Sequence, residues 1–185
     1  MDVSVKQRWA MCAMGAWLAG NVMVAVVAAE NFYTVDRLLA GSTNSVFASE
    51  LARVGHAEAR DLLRYLSSEL NRRYFQLWNV AQLTLGVLVL WLIARAPSTV
   101  RARWGVLGMV TAVLVAGVWL TPQIVSVGRS LDFVPRNPAP SSLQWFWTLH
   151  GLYTVLEALK LVLGVVVCAW IARSGQPDEA GRIAA

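Results

Sequence analysis

His150, Glu157 and Lys160 stand inside one long apolar run that stretches from about Leu143 to Ala172. These side chains can pass protons, hold ions or ligate a cofactor. His150 and Glu157 are seven residues apart, which puts them on one face of a helix, with Tyr153 and Thr154 between them. Glu157 and Lys160 are three apart and can pair directly. A charge at bilayer depth is costly, so it normally faces the protein interior and has a partner. One reading is an ion or proton pathway, or a polar binding pocket. The other is an internal salt bridge that pins this helix against Asn21, Asn79 or Gln82, the single amides of two other apolar runs. Lys160 supplies a ready partner and has the length to snorkel toward the cytoplasmic surface, which favours the salt bridge. No other span carries a second carboxylate, so a proton relay is short of stations.

His150 is also a candidate axial ligand for haem or a chlorophyll-type pigment. Ligation by two histidines needs a second one at the same depth, and the only other, His56, falls outside the apolar runs. A hydrogen-bonded core histidine is the commoner role. Motifs of enzyme chemistry are absent: no glycine-rich phosphate loop, HExxH, GxSxG or cluster of metal-ligand cysteines. Cys12 and Cys168 form no CxxC pair and read as small buried residues. A non-enzyme without a metal site is therefore expected.

The elements that position these residues follow from composition. Of 185 residues, 57% are hydrophobic and 15% charged, against roughly 25% charged in soluble domains. The charges flank long apolar runs, the pattern of a membrane protein. Four spans are expected, at about residues 9–29, 74–94, 104–127 and 143–172. The first could be a signal peptide cut after Val27-Ala28-Ala29, but it is longer than a usual signal core of about 7–15 residues. Pro97 closes the second, Pro122 kinks or ends the third, and Arg173, Gly175 and Pro177 close the fourth. Residues 1–173 form one domain, and 174–185 a flexible tail.

Four crossings put both termini on one side with the 95–103 connection. That side carries seven basic and three acidic residues, +4, and the other carries eight and seven, +1. The short connection with Arg95, Arg101 and Arg103 and no acid places the termini in the cytoplasm of a bacterial inner membrane. The net charge of +5 is thereby a matter of orientation, and nucleic acid is not an expected partner.

Residues 30–73 are too periodic for a loop. Leu62, Leu63, Leu66, Leu70, Leu77 and Trp78 recur at helical spacing. A helix starting near His56 should project beyond the membrane, and Gly55 should separate it from a short helix over 45–54. Together they would cap the outer face. Asp36, Arg37, Arg64, Glu69, Asn71, Arg72 and Arg73 form a candidate docking face, or a solvated set of salt bridges in which Arg60 and Arg64 pair with acids on their own helix. Pro135, Pro138 and Pro140 stiffen the last connection. For helix packing, Gly108, Ala112 and Ala116 form a small-residue stripe, and Ala16 and Gly20 another. Trp9, Trp104, Trp145 and Trp147 fall near span ends, as an aromatic belt would.

Three stretches carry a resemblance: Asn31-Phe32-Tyr33 running into Asp36-Arg37-Leu38-Leu39, Arg64-Tyr65-Leu66 to Glu69-Leu70-Asn71, and Leu149-His150-Gly151. With the four-span layout they resemble small bacterial membrane proteins of a TMEM-type domain of unknown function. More distantly, they look like the four-span modules of copper-resistance membrane proteins. The copper-linked family implies histidine and methionine sites at the outer face. This chain has only His56 there and no methionine cluster, so no copper site carries over. The expected molecule is an all-α, four-span bundle with an outer helical cap. Its leading role is that of a small accessory subunit among other membrane proteins. A carrier built on Glu157, Lys160 and His150, and a pigment or haem subunit built on His150, are the alternatives.

Overall fold

The computed structural model describes residues 3–94 and 100–174. Arg95, Pro97 and the tail from Gly175 onward, with Pro177, lie outside the described residues, as do Asp2, Asp178, Glu179 and Arg182. Five helices and no strand are present among the described residues: α1 (Val3–Ala40), α2 (Ser45–Val54), α3 (His56–Ile93), α4 (Val100–Ser130) and α5 (Ser142–Ser174). All but α2 are long and apolar enough to cross a bilayer. The protein is an all-α, multi-pass integral membrane protein.

Packing runs as a ring: α1 on α3, α3 on α4, α4 on α5, and α5 back on α1. The first and last helices lie side by side, and Gln7 Nε2 donates to Ser174 Oγ at 3.2 Å where they meet. The start of α1 and the end of α5 therefore sit at one end of the bundle, the termini end, and α2 sits at the other, the cap end.

α1 does not stop at Glu30, where its apolar run ends. It continues unbroken to Ala40. Neither glycine nor proline occurs between Gly20 and Gly41, and a change from apolar to polar residues alters a helix's surroundings without breaking its backbone hydrogen bonds. α2 begins on Asn44, whose side chain accepts from the amides of Val46 and Phe47 at 3.0 and 3.1 Å, an N-cap. Gly55, at φ 101°, ends it and opens α3 at His56, a backbone angle that favours glycine. α2 touches α3 but buries none of its own residues. It is an appendage of α3 more than a lid over the bundle.

Pro122 does not end α4; it stands at the start of a regular α-helical segment, Thr121–Ser130, that carries the helix onward. The turn just before it, Ala116–Leu120, is a π-turn. Proline lacks an N–H and its ring crowds the carbonyl four residues back, here that of Val118. A wider turn absorbs both, and such bulges are the known way for a helix to survive them.

The core has two apolar clusters. One, nearer the termini end, gathers Met14, Trp17, Val89, Val106, Met109 and Val167 with their neighbours. The other, toward the cap end, holds Ala116, Leu120, Leu149 and Tyr153. Small residues do bring helices together, but not all at the expected places. Gly20 lies against the Trp78 ring, and Ala116 is fully buried. Ala16, in contrast, is exposed, Gly108 is exposed with Leu163 of α5 3.6 Å from where a Cβ would stand, and Ala112 is half-buried. Residues four apart advance 400° around a helix, so a stripe at that spacing drifts about 40° per step. Only its Ala116 end reaches the interior. The close approaches are at Gly86, under Val110 and Trp17, at Gly105, under Val167 and Trp170, and at Gly164, under Leu18 and Met109.

The exposed Trp9, Trp91 and Trp104 mark the termini end, and Trp145 and Trp147 the cap end. From Trp147 to Trp170 on α5 is about 34 Å at 1.5 Å per residue, close to the ~30 Å hydrocarbon thickness. α1 and α3, at 38 residues each, are about 57 Å long and overrun it.

Candidate functional site

Lys160 stands 13 residues beyond Trp147 and 10 before Trp170, which places it about 20 and 15 Å from the two α5 tryptophans. It does not snorkel. Its side chain is 3% exposed and turned into the bundle. Nζ lies 2.7 Å from Glu157 Oε1 and donates to Gln82 Oε1 at 2.5 Å. The same Gln82 oxygen accepts from the Trp17 indole at 3.0 Å. α1, α3 and α5 thus meet at one amide. Gln82 and Lys160 reach each other across the diagonal of the ring, between helices that are not packing neighbours.

A buried indole must place its N–H, and Trp17 does so here. Sequence reasoning missed this residue. Its signal was position: Trp17 lies in the middle of an apolar run, away from the interfaces where tryptophan otherwise collects.

The amides do not converge. Asn21 accepts from the Trp78 indole at 3.0 Å, tying α1 to α3. Asn79 donates to Thr121 Oγ1 at 3.4 Å, across to α4. Of the three, Gln82 alone joins the charged pair.

Along the inner face of α5, one polar group follows another at each turn: His150, Tyr153, Glu157, Lys160. His150 is half-buried, with its ring stacked on Phe146 at 5.6 Å and edge-on to Trp147 at 6.1 Å. Several polar atoms in this region have no hydrogen-bond partner: His150 Nδ1, the Tyr153 hydroxyl and Gln82 Nε2. Glu157 Oε1 also accepts no well-aligned hydrogen bond, so its contact with Lys160 is an ion pair by distance. Thr154 is exposed and returns its hydroxyl to the His150 carbonyl at 2.9 Å. His56 opens α3 at the far cap end, so no second histidine approaches His150.

The charged residues of the cap end divide into two groups. Asn71 is buried. It donates to the Ala28 carbonyl at 2.9 Å and accepts from Asn31 Nδ2 at 2.6 Å, while Ser67 donates to the Asn31 carbonyl at 3.2 Å. Glu69 and Arg72 join α3 to the end of α4: Arg72 pairs with Glu69 at 2.5 Å and with Asp132 at 2.9 Å, and Arg129 lies 3.5 Å from Glu69. These three members of the expected docking face are therefore internal fasteners. Their spacing on α3 turns them toward α1 and α4, which a linear reading of charge does not reveal. Asp36, Arg37, Arg64 and Arg73 remain exposed or partly so. Arg64 reaches across to Asp36 on α1 at 3.0 Å, with Arg60 at 3.9 Å, instead of pairing along α3. Arg37 donates to Thr34.

Two grooves in the surface both lie away from the Glu157–Lys160 pair. One, of about 700 Å³, lies between α3 and α4 beside the π-turn, and its lining includes Asn79, Gly117, Thr121 and Arg129. The other, about 300 Å³ and apolar, lies between α1 and α3 around Met23 and Leu77. No family model, curated protein or solved structure matches this chain.

Proposed function

We propose that this protein is a non-enzymatic membrane subunit that acts through a protein partner bound at the cap end. The observation that carries this reading is the stalk formed by the overrunning halves of α1 and α3. Its two helices are fastened together: Asn31, Ser67 and Asn71 clasp them, and Asp36 pairs across them with Arg64 and, more distantly, Arg60. On its free side stand Leu62 and Leu66, 55% and 54% exposed, with Leu70 below and the Tyr65–Phe133 ring pair beside them. An apolar stripe held out beyond the membrane on a two-helix support has the character of a binding surface. The charged groups deep in the bundle fit the same reading, because Lys160 is held by Glu157 and by the Gln82 oxygen that also takes the Trp17 indole, a contact that ties three helices together. The termini and the Arg101–Arg103 end would face the cytoplasm, and the stalk the outside.

The experiment is cross-linking in intact membranes followed by purification in mild detergent, with wild type and Leu62→Asp/Leu66→Asp. A discrete partner lost in the variant is expected. A solitary wild-type chain would sink the proposal.

A second reading, a carrier or proton-coupled protein, has one observation of its own: the file of polar groups from His150 to Lys160, several with unpartnered atoms. It requires that Glu157→Gln abolish flux in reconstituted vesicles while the protein inserts and melts like wild type. A variant that is merely unstable returns Glu157 to a structural role.

A further inference from the structure

The geometry points to a phospholipid site in the groove between α3 and α4, with the lipid phosphate on Arg129 and one acyl chain running down beside the π-turn. The groove opens sideways toward the bilayer: Val118 on its rim is 76% exposed. Its occupant therefore arrives from within the membrane. The lining is graded along the depth of the bilayer. Arg129 stands at the cap-end mouth, with Gln76 and Ser126 beneath it. Asn79 and Thr121 follow, and below them only apolar residues such as Leu114. A glycerophospholipid carries its groups in the same order: an anionic phosphate, the glycerol and its esters, then hydrocarbon.

Two details single this groove out from an ordinary seam between helices. Asn79 is 92% buried, yet its Oδ1 has no partner, although the residue lines the groove. A buried amide with an unmet polar atom is costly in an apolar setting. With a turn of its amide it can accept from a hydroxyl or donate to an ester carbonyl in the groove. Second, Gly117 lies in the π-turn opposite Asn79, and a Cβ there would enter the groove at 3.5–3.7 Å from the Asn79 side chain. The bulge and the missing side chain together keep the space open. From Thr121 to Arg129 is about 12 Å along the helix, a distance that an arginine side chain bent toward the groove shortens to phosphate-to-ester scale. Arg129 has only a 3.5 Å contact with Glu69, a carboxylate that Arg72 already holds at 2.5 Å, and its side chain is 61% exposed. Its exposed guanidinium can engage a phosphate beside that contact, where a charge-assisted contact is strong.

The site is separate from the stalk, so it stands or falls independently of the partner proposed above. The test is to purify the full chain in dodecyl maltoside with prolonged washing, then identify the retained lipid by mass spectrometry and quantify it as phosphorus per chain. Wild type should keep a phospholipid. Arg129→Gln, at an exposed position that leaves folding intact, should weaken retention about tenfold, the equivalent of ~1.4 kcal/mol. Gly117→Leu, which fills the groove, should lose it while melting like wild type; if that variant fails to fold, Arg129→Gln decides alone. Equal phosphorus in wild type and Arg129→Gln would overturn the site, as would a wild type that retains only detergent or a neutral amphiphile.

Discussion

At mid-bilayer, a lysine 3% exposed is tolerable only because a carboxylate and an amide oxygen, those of Glu157 and Gln82, meet its charge. Removing one member of such a pair leaves the other uncompensated, at a cost of about 3–5 kcal/mol. Glu157→Gln should therefore destabilise the bundle by roughly 3 kcal/mol, read as a shift in its unfolding transition in mixed micelles. Adding Lys160→Met should restore most of that loss, since the charge that needed Glu157 is gone. If the double variant is as unstable as the single, the pair is not the fastener described here. The partnership of Glu157 with Lys160 was legible from their spacing of three. The choice of Gln82 over Asn21 and Asn79 was not, because it depends on how α1, α3 and α5 rotate against one another.

Helices approach where a missing Cβ lets them, and the sites of approach make the element scale testable. A Cβ on Gly86 would stand 2.5 Å from Val110 and 3.1 Å from Trp17, so Gly86→Leu should overpack the core by about 1–3 kcal/mol. Gly108→Leu and Ala16→Leu, at exposed positions, should stay within about 0.5 kcal/mol of wild type. The reverse outcome would restore the four-residue stripe as the contact. Thermal melts of the three variants in one detergent decide it. Helix ends were partly legible as well. Gly55 separated α2 from α3 where glycine chemistry required it, and His56 opens α3. Glu30 did not end α1, because the edge of an apolar run marks the depth of the bilayer and not the end of a helix.

For the whole molecule, four crossings require that reporters fused to the two termini read the same side of the membrane, and a reporter placed in the Gly41–Asn44 connection the opposite side. The excess of basic residues at the termini end leads to the expectation that the first two read as cytoplasmic. A signal from both termini on the non-cytoplasmic side would invert the orientation without changing the fold, and a split result would remove one of the four spans.

The amino-acid sequence by itself determined that this chain lies in a membrane, crosses it four times as helices, and carries a single charged pair in its last span. Those properties are local: apolar length against bilayer thickness, and spacing along one helix. Tertiary structure decided which amide meets Lys160, that Asn71, Glu69 and Arg72 are fasteners and not a surface, and that Pro122 widens the turn before it and leaves a groove beside Asn79. Each of these depends on which faces of separate helices meet. A sequence records the order of residues along a helix, but the rotation of one helix against the next emerges only when all four pack at once.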